Sequence, residues 1–111
     1  ATGHICDVTD EAGIKSVAGS ITSCDVLVNA AGLVRPGALA DLTTSEWDDL
    51  LKVNLTGYFL MAREFTPHLV ASGNGSMIHI ASISSTNPQG SSGAYSVSKA
   101  GVVIMSKQLA F

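Results

Sequence analysis

Tyr95 and Lys99 stand four positions apart near the end of the chain. On a helix that spacing puts both on one face. A phenol is a poor base at neutral pH, because its ordinary pKa is about 10. A neighbouring ammonium favours the phenolate and lowers that value. Such a pair can give a proton to an alcohol or ketone oxygen, or take one from it. Ser82 lies one loop before Tyr95, so its hydroxyl can reach the same oxygen. Asn54, near a junction between two helical segments, can bridge to Lys99 through a water. An ordinary solvated helix face carries Tyr and Lys at the same spacing, so the pair alone leaves both readings standing.

These residues need elements to hold them. Ala1 to Val8 reads as the end of a strand, and Thr9-Asp10-Glu11 can open a helix. Ile14, Val17, Ala18 and Ile21 then form a helical stripe, weakened by Gly13 and Gly19. Asp25 to Asn29 is a short apolar run without alternation, which predicts a central parallel strand covered on both faces. Gly32, Pro36 and Gly37 break the chain into a loop. Thr43 and Glu46 match a capping box ahead of Trp47, Leu50 and Leu51. A stripe from Leu55 through Phe59, Ala62, Phe65 and Leu69 predicts a long helix to about Ala71, bent near Asn54. Pro67 should bend or shorten it. Gly73-Asn74-Gly75 is a turn, and Met77 to Ala81 is a second apolar strand of the same kind. A Ser/Gly/Pro/Asn loop from Ser84 to Gly93 leads to a final helix from Ala94.

The order strand, helix, strand, helix, strand, helix predicts an α/β fold: a Rossmann-like, doubly wound parallel sheet with helices on both faces, only partly present. In such sheets ligands bind beyond the carboxyl ends of the strands. Asp7, Asn29 and Ser82 close the three predicted strands and should share that edge.

Composition narrows the function. The chain of 111 residues is 46% hydrophobic and 14% charged, which is apolar for so small a unit and points to an excerpt of a larger domain. A net charge of −3 without a basic run argues against a nucleic-acid partner. Cys6 and Cys24 fit no zinc spacing, and His4, His68 and His79 are scattered, so no metal site is expected. Free thiols, no membrane-length apolar run and no signal peptide make the cytoplasm the expected compartment.

Five segments in order resemble the classical short-chain dehydrogenases/reductases. Tyr95-Ser96-Val97-Ser98-Lys99 resembles their Tyr-x-x-x-Lys signature. Asn29-Ala30-Ala31-Gly32 resembles their Asn-Asn-Ala-Gly segment, with Ala30 in place of the second Asn. Trp47 through Val53-Asn54-Leu55 and Gly57 resembles the stretch around their catalytic Asn. Ile80-Ala81-Ser82 resembles the strand end bearing the catalytic Ser, and Cys6-Asp7-Val8-Thr9 the Asp-Val pair beside the adenine ring. The match spans nearly the whole chain.

The resemblance implies a hydride transfer between NAD or NADP and a secondary alcohol or ketone. It implies Tyr95 as the acid/base, Lys99 lowering its pKa and binding the nicotinamide ribose, Ser82 orienting the substrate oxygen, and Asn54 holding a relay water. Asp7 and Val8 would flank the adenine, and Asn29, Ala30 and Gly32 would line the cofactor cleft. Family members run to about 250 residues as one domain. The resemblance therefore makes residues 1–111 the central part of a single NAD(P)-binding catalytic domain. The phosphate-binding glycine loop, the strand that sorts NAD from NADP and the C-terminal substrate loop have no counterpart here. The short interval from Asp7 to Asn29 is similar to that of some sugar and xylulose reductases, which points to small polar carbonyl compounds. The resemblance further implies a homo-oligomer, a dimer or tetramer. Two other functions share these features: a nucleotide-sugar epimerase or dehydratase relative, and a non-catalytic NAD(P)-binding scaffold.

Overall fold

The computed structural model describes residues 1–111. Helix α1 spans Glu11–Ser20, with Asp10 extended before it and the Asp10 carbonyl accepting from the Ile14 N–H at 2.9 Å. Ile14 and Ala18 are buried, and Val17 and Ile21 pack on a core of Ala18, Leu27, Phe65 and Leu69. Burying such side chains contributes about 1.5–3 kcal/mol each for the large ones, more than two helix glycines cost.

Strand β1 spans Val26–Asn29 and strand β2 spans Ser76–His79. They pair in parallel, with Asn29 opposite His79, and the Ile80 N–H extends the pairing to the Asn29 carbonyl at 2.9 Å. Both strands therefore end at one edge. Parallel neighbours need a long crossover, which two helices supply. Helix α2, Thr44–Leu51, opens on the expected capping box. The Glu46 N–H donates to Thr43 Oγ1 and the Thr43 N–H donates back to Glu46 Oε2. A wider π turn over Lys52–Thr56 joins α2 to helix α3, Gly57–Ser72. Gly73, at φ 72°, ends α3 in the left-handed conformation that favours glycine. A 3-10 turn, Ile83–Ser85, precedes helix α4, Gly93–Leu109.

Four expectations need correction. Residues 1–8 form no strand. An extended segment becomes a strand only when a neighbour takes its backbone hydrogen bonds, and no other segment of the chain does so. Second, the helices cover one sheet face only. Leu27, Asn29, Met77 and His79 point into the helix layer, whereas Val26, Val28, Ile78 and Ile80 remain about half exposed on the other face. Third, Pro67 does not shorten α3, which runs on to Ser72. Fourth, β2 stops at His79, so Ser82 stands just beyond the strand as the cap of the 3-10 turn.

Candidate active site

Helix α4 carries Tyr95 and Lys99 on one face, as their spacing predicts. Lys99 is only 3% exposed, yet it takes part in no ion pair. Its ammonium donates to the Ile80 carbonyl at 2.7 Å and makes a longer contact of 3.4 Å to the Tyr58 hydroxyl. Two aromatic rings flank the charge. Nζ lies 5.0 Å from the Tyr58 ring centroid and 5.9 Å from that of Tyr95. Burial pushes the Lys99 pKa down. An unpaired, desolvated ammonium therefore lies between two phenol-bearing rings.

Tyr95 and Tyr58 are not equivalent. Tyr58 is 1% exposed, its hydroxyl is 3.3 Å from the Ile80 carbonyl, and burial pushes its pKa up, with the charge of Tyr95 adding to the effect. Tyr95 is half-buried in the first turn of α4. Of the two phenols, Tyr95 is the more exposed.

The π turn places Asn54 under the loop that follows β1. Asn54 is fully buried. Its Oδ1 accepts from the Leu33 N–H at 2.7 Å, and its Nδ2 donates to the Leu33 carbonyl at 2.8 Å and to Ser98 Oγ at 3.2 Å. Ser98 in turn donates to the Tyr95 carbonyl at 2.7 Å. This side chain is thus spent on joining the loop after β1 to the first turn of α4. Insertions of this π type recur at functional sites.

Ser82 reaches the same edge from β2. Its Oγ accepts from the Ser84 N–H at 3.1 Å and caps the turn that packs on α4. A hydroxyl has one donor and two acceptor lone pairs, so the proton of Ser82 remains available.

The expected cofactor residues divide. Ala30 and Gly32 are exposed at the end of β1, and a Cβ built on Gly32 would meet only Asn54 Oδ1, at 3.9 Å. The small residues there leave an open floor. Asn29 is 4% exposed, and its Nδ2 lies 3.3 Å from the Tyr58 carbonyl and 3.1 Å from His79 Nδ1. Its side chain sits beneath that floor. Asp7 is exposed, and the Thr9 N–H and hydroxyl both donate to its Oδ1 at 2.8 Å, which holds its carboxyl below the usual range. Val8 packs on Gly57, where a Cβ would come within 3.0 Å of the Val8 carbonyl oxygen. That contact seats the Asp7-Val8 pair at the start of α3.

Tyr58, Ser98 and Leu33 take part in this network, although no sequence motif gives them a role. Tyr58 lies four residues after Asn54 on the same helical run, and Ser98 lies three after Tyr95. Those spacings were the available signal. Arg35 is a loosely paired loop charge, 3.9 Å from Asp49. No helix is long and apolar enough to cross a membrane.

The family described as short chain dehydrogenase matches residues 1–111. The chain is 36% identical to a D-threitol dehydrogenase of Mycolicibacterium smegmatis, over 97% of this chain and 43% of the relative. It is also 36% identical to a 2,5-dichloro-2,5-cyclohexadiene-1,4-diol dehydrogenase of Sphingobium indicum, over 94% of this chain and 43% of the relative. Among solved structures, the aldohexose dehydrogenase of Thermoplasma acidophilum superposes with a TM-score of 0.92 at 30% identity, covering 96% of this chain and 44% of that one. The chain belongs to the short-chain dehydrogenase family. It spans less than half the length of these relatives.

Proposed function

We propose that this chain is the central part of a single NAD(P)-binding catalytic domain whose enzyme interconverts a secondary alcohol and a ketone. The observation that carries the reading is the buried, unpaired Lys99 ammonium beside Tyr95. A scaffold has no use for a charge held at such desolvation cost. The half-exposed Val26, Val28, Ile78 and Ile80 fit the same reading, because a doubly wound domain covers both sheet faces.

The residues present fit the nicotinamide end of a dinucleotide. Ala30 and Gly32 leave room for close approach, and Lys99 has a third donor left for a ribose hydroxyl. Asp7 keeps an ionised carboxylate at the edge where an adenine would lie. When bound, the nicotinamide supplies hydride exchange with the substrate carbon. The protein supplies the proton and the placement. In alcohol oxidation, Tyr95 as phenolate takes the hydroxyl proton while the carbinol hydrogen leaves with its electron pair. In ketone reduction, Tyr95 as phenol returns the proton to the oxygen. Lys99 favours the phenolate, and Ser82 donates to the substrate oxygen. Asn54 fixes the loop after β1 against α4, and a relay water near it would reach Lys99.

The substrate class we favour is a small polyol, sugar or related polar carbonyl compound. The threitol, cyclohexadienediol and aldohexose dehydrogenases among the relatives support it, as does the polar loop of Ser84, Ser85, Gln89 and Ser91 beside Tyr95. We place the enzyme in the cytoplasm, where free thiols persist, and infer a two-fold homo-oligomer because Phe59, Val70, Val97 and Ile104 on α3 and α4 are at least 42% exposed.

The test is a screen of the full-length protein with polyols, sugars and simple ketones against both nicotinamides, read by absorbance of the reduced cofactor. Turnover of a polyol or sugar is expected. Absence of hydride transfer with every alcohol and ketone would contradict the reading.

A further inference from the structure

The acid/base pair leaves one buried polar group without a role, the hydroxyl of Tyr58. We infer that Tyr58 is a positioning residue for Lys99, its hydroxyl and the Ile80 carbonyl taking two ammonium donors and turning the third toward the cofactor ribose. The inference rests on the proposed roles of Tyr95 and Lys99.

An ammonium has three donors and a flexible four-carbon stem. The Ile80 carbonyl, at 2.7 Å, is its main partner. One acceptor fixes a point but leaves the head free to turn about it. The Tyr58 oxygen, 3.4 Å from Nζ and 3.3 Å from the Ile80 carbonyl oxygen, closes a triangle with both and defines a plane. The Tyr58 ring, 5.0 Å from Nζ at its centroid, walls the same side.

Tyr58 is itself held on several sides. Its carbonyl is 3.3 Å from Asn29 Nδ2, and its ring stacks on His79 with centroids 6.0 Å apart and planes 28° from parallel. Beside it, Gly57 is closed in by Val8. Tyr58 therefore links the ends of both strands to the ammonium. Packing alone would be served by phenylalanine. Tyr58 is 1% exposed, and a hydroxyl buried with it beside a buried charge has a polar task.

The groups facing Lys99 are Tyr58 from α3 and Tyr95 from α4, with His79 of β2 behind the Tyr58 ring. No carboxylate pairs with it. Removing the Tyr58 hydroxyl takes an acceptor from the charged form of Lys99. The ammonium beside Tyr95 is then less firmly held, and proton transfer from the alcohol loses support.

The experiment uses the full-length enzyme carrying Tyr58→Phe, with Tyr58→Met as a second replacement that offers no oxygen. The rising limb of kcat/KM against pH for alcohol oxidation is expected to move up by about half to one unit. Activity should return toward wild type at pH above the limb, and the nicotinamide Kd should weaken severalfold. In a Lys99→Met background, Tyr58→Phe should leave the nicotinamide Kd where Lys99→Met alone puts it. An unmoved limb, activity lost equally at every pH, or the same weakening of Kd in both backgrounds would overturn the inference. Tyr95→Phe separates the two failures. If it remains active, the reading of the site fails. If it is inactive while the Tyr58 variants keep the wild-type limb, only the role of Tyr58 fails.

Discussion

The side-chain amide of Asn54 and the backbone of Leu33 exchange two hydrogen bonds, 2.7 Å from the Leu33 N–H and 2.8 Å to the Leu33 carbonyl. The pairing fixes which end of the amide is which and ties the π turn to the loop after β1. A third bond to Ser98 brings in α4.

Removing that amide should be costly. Asn54→Ala leaves the Leu33 N–H and carbonyl without their partner and opens a cavity at a fully buried site. Each unsatisfied buried group costs about 1–3 kcal/mol. Urea unfolding of the full-length protein should show a loss of about 2–4 kcal/mol. A loss below about half a kcal/mol would mean that water replaces the amide freely.

The Thr43 cap makes a smaller, cleaner prediction. Thr43→Ala removes the oxygen that accepts from the Glu46 N–H and leaves the core untouched. A loss of about 1 kcal/mol in urea unfolding is expected, with kcat/KM unchanged. A change in kcat/KM would show that the start of α2 communicates with α4.

The cap was legible because it is local: Thr43 and Glu46 meet within one turn. Tyr95 and Lys99 were legible for the same reason, since helical spacing alone puts them on one face. Tyr58 was not. An aromatic residue on an apolar stripe reads as packing until Ile80 and Lys99, distant in sequence, are brought against its hydroxyl. The strand errors have a different origin. Val26, Leu27 and Val28 are apolar on both faces, and that pattern predicted two covering layers. These residues supply helices for one face only. Residues 1–8 likewise carry strand-forming types but find no neighbouring strand, and pairing is a property of the neighbour as much as of the segment.

His79 supplies a pH dependence. Burial lowers its pKa from the usual 6.5, and its Nε2 has no partner. The folded state therefore binds the proton less readily than the unfolded chain. The stability tied to neutral His79 is fully present above the unfolded pKa and is lost as pH falls through the lower folded value. Melting temperature should fall from about pH 7 to about pH 5, and His79→Gln should flatten that slope. An identical slope in the variant would assign the acid sensitivity to other groups.

Ser82 should separate chemistry from binding. Ser82→Ala removes a hydroxyl proposed to donate to the substrate oxygen beside Tyr95, and also the cap on the Ser84 N–H. Turnover should fall by about 10- to 1,000-fold with nicotinamide Kd within twofold of wild type. Lys99→Ala should damage both, since it removes the charge beside Tyr95 and the proposed ribose contact. Equal loss of cofactor affinity in the two variants would contradict this division.

The most direct test of the account is Tyr95→Phe in the full-length enzyme, with kcat/KM and nicotinamide Kd measured side by side. Phenylalanine keeps the ring beside Lys99 and deletes only the oxygen proposed to carry the proton. Loss of general acid/base catalysis lowers rates about 100- to 10,000-fold, or roughly 3–5 kcal/mol of barrier. The account predicts a fall of kcat/KM in that range, with nicotinamide Kd nearly unchanged. Retention of more than about a tenth of wild-type kcat/KM, well short of that loss, would contradict it and remove Tyr95 from the acid/base role.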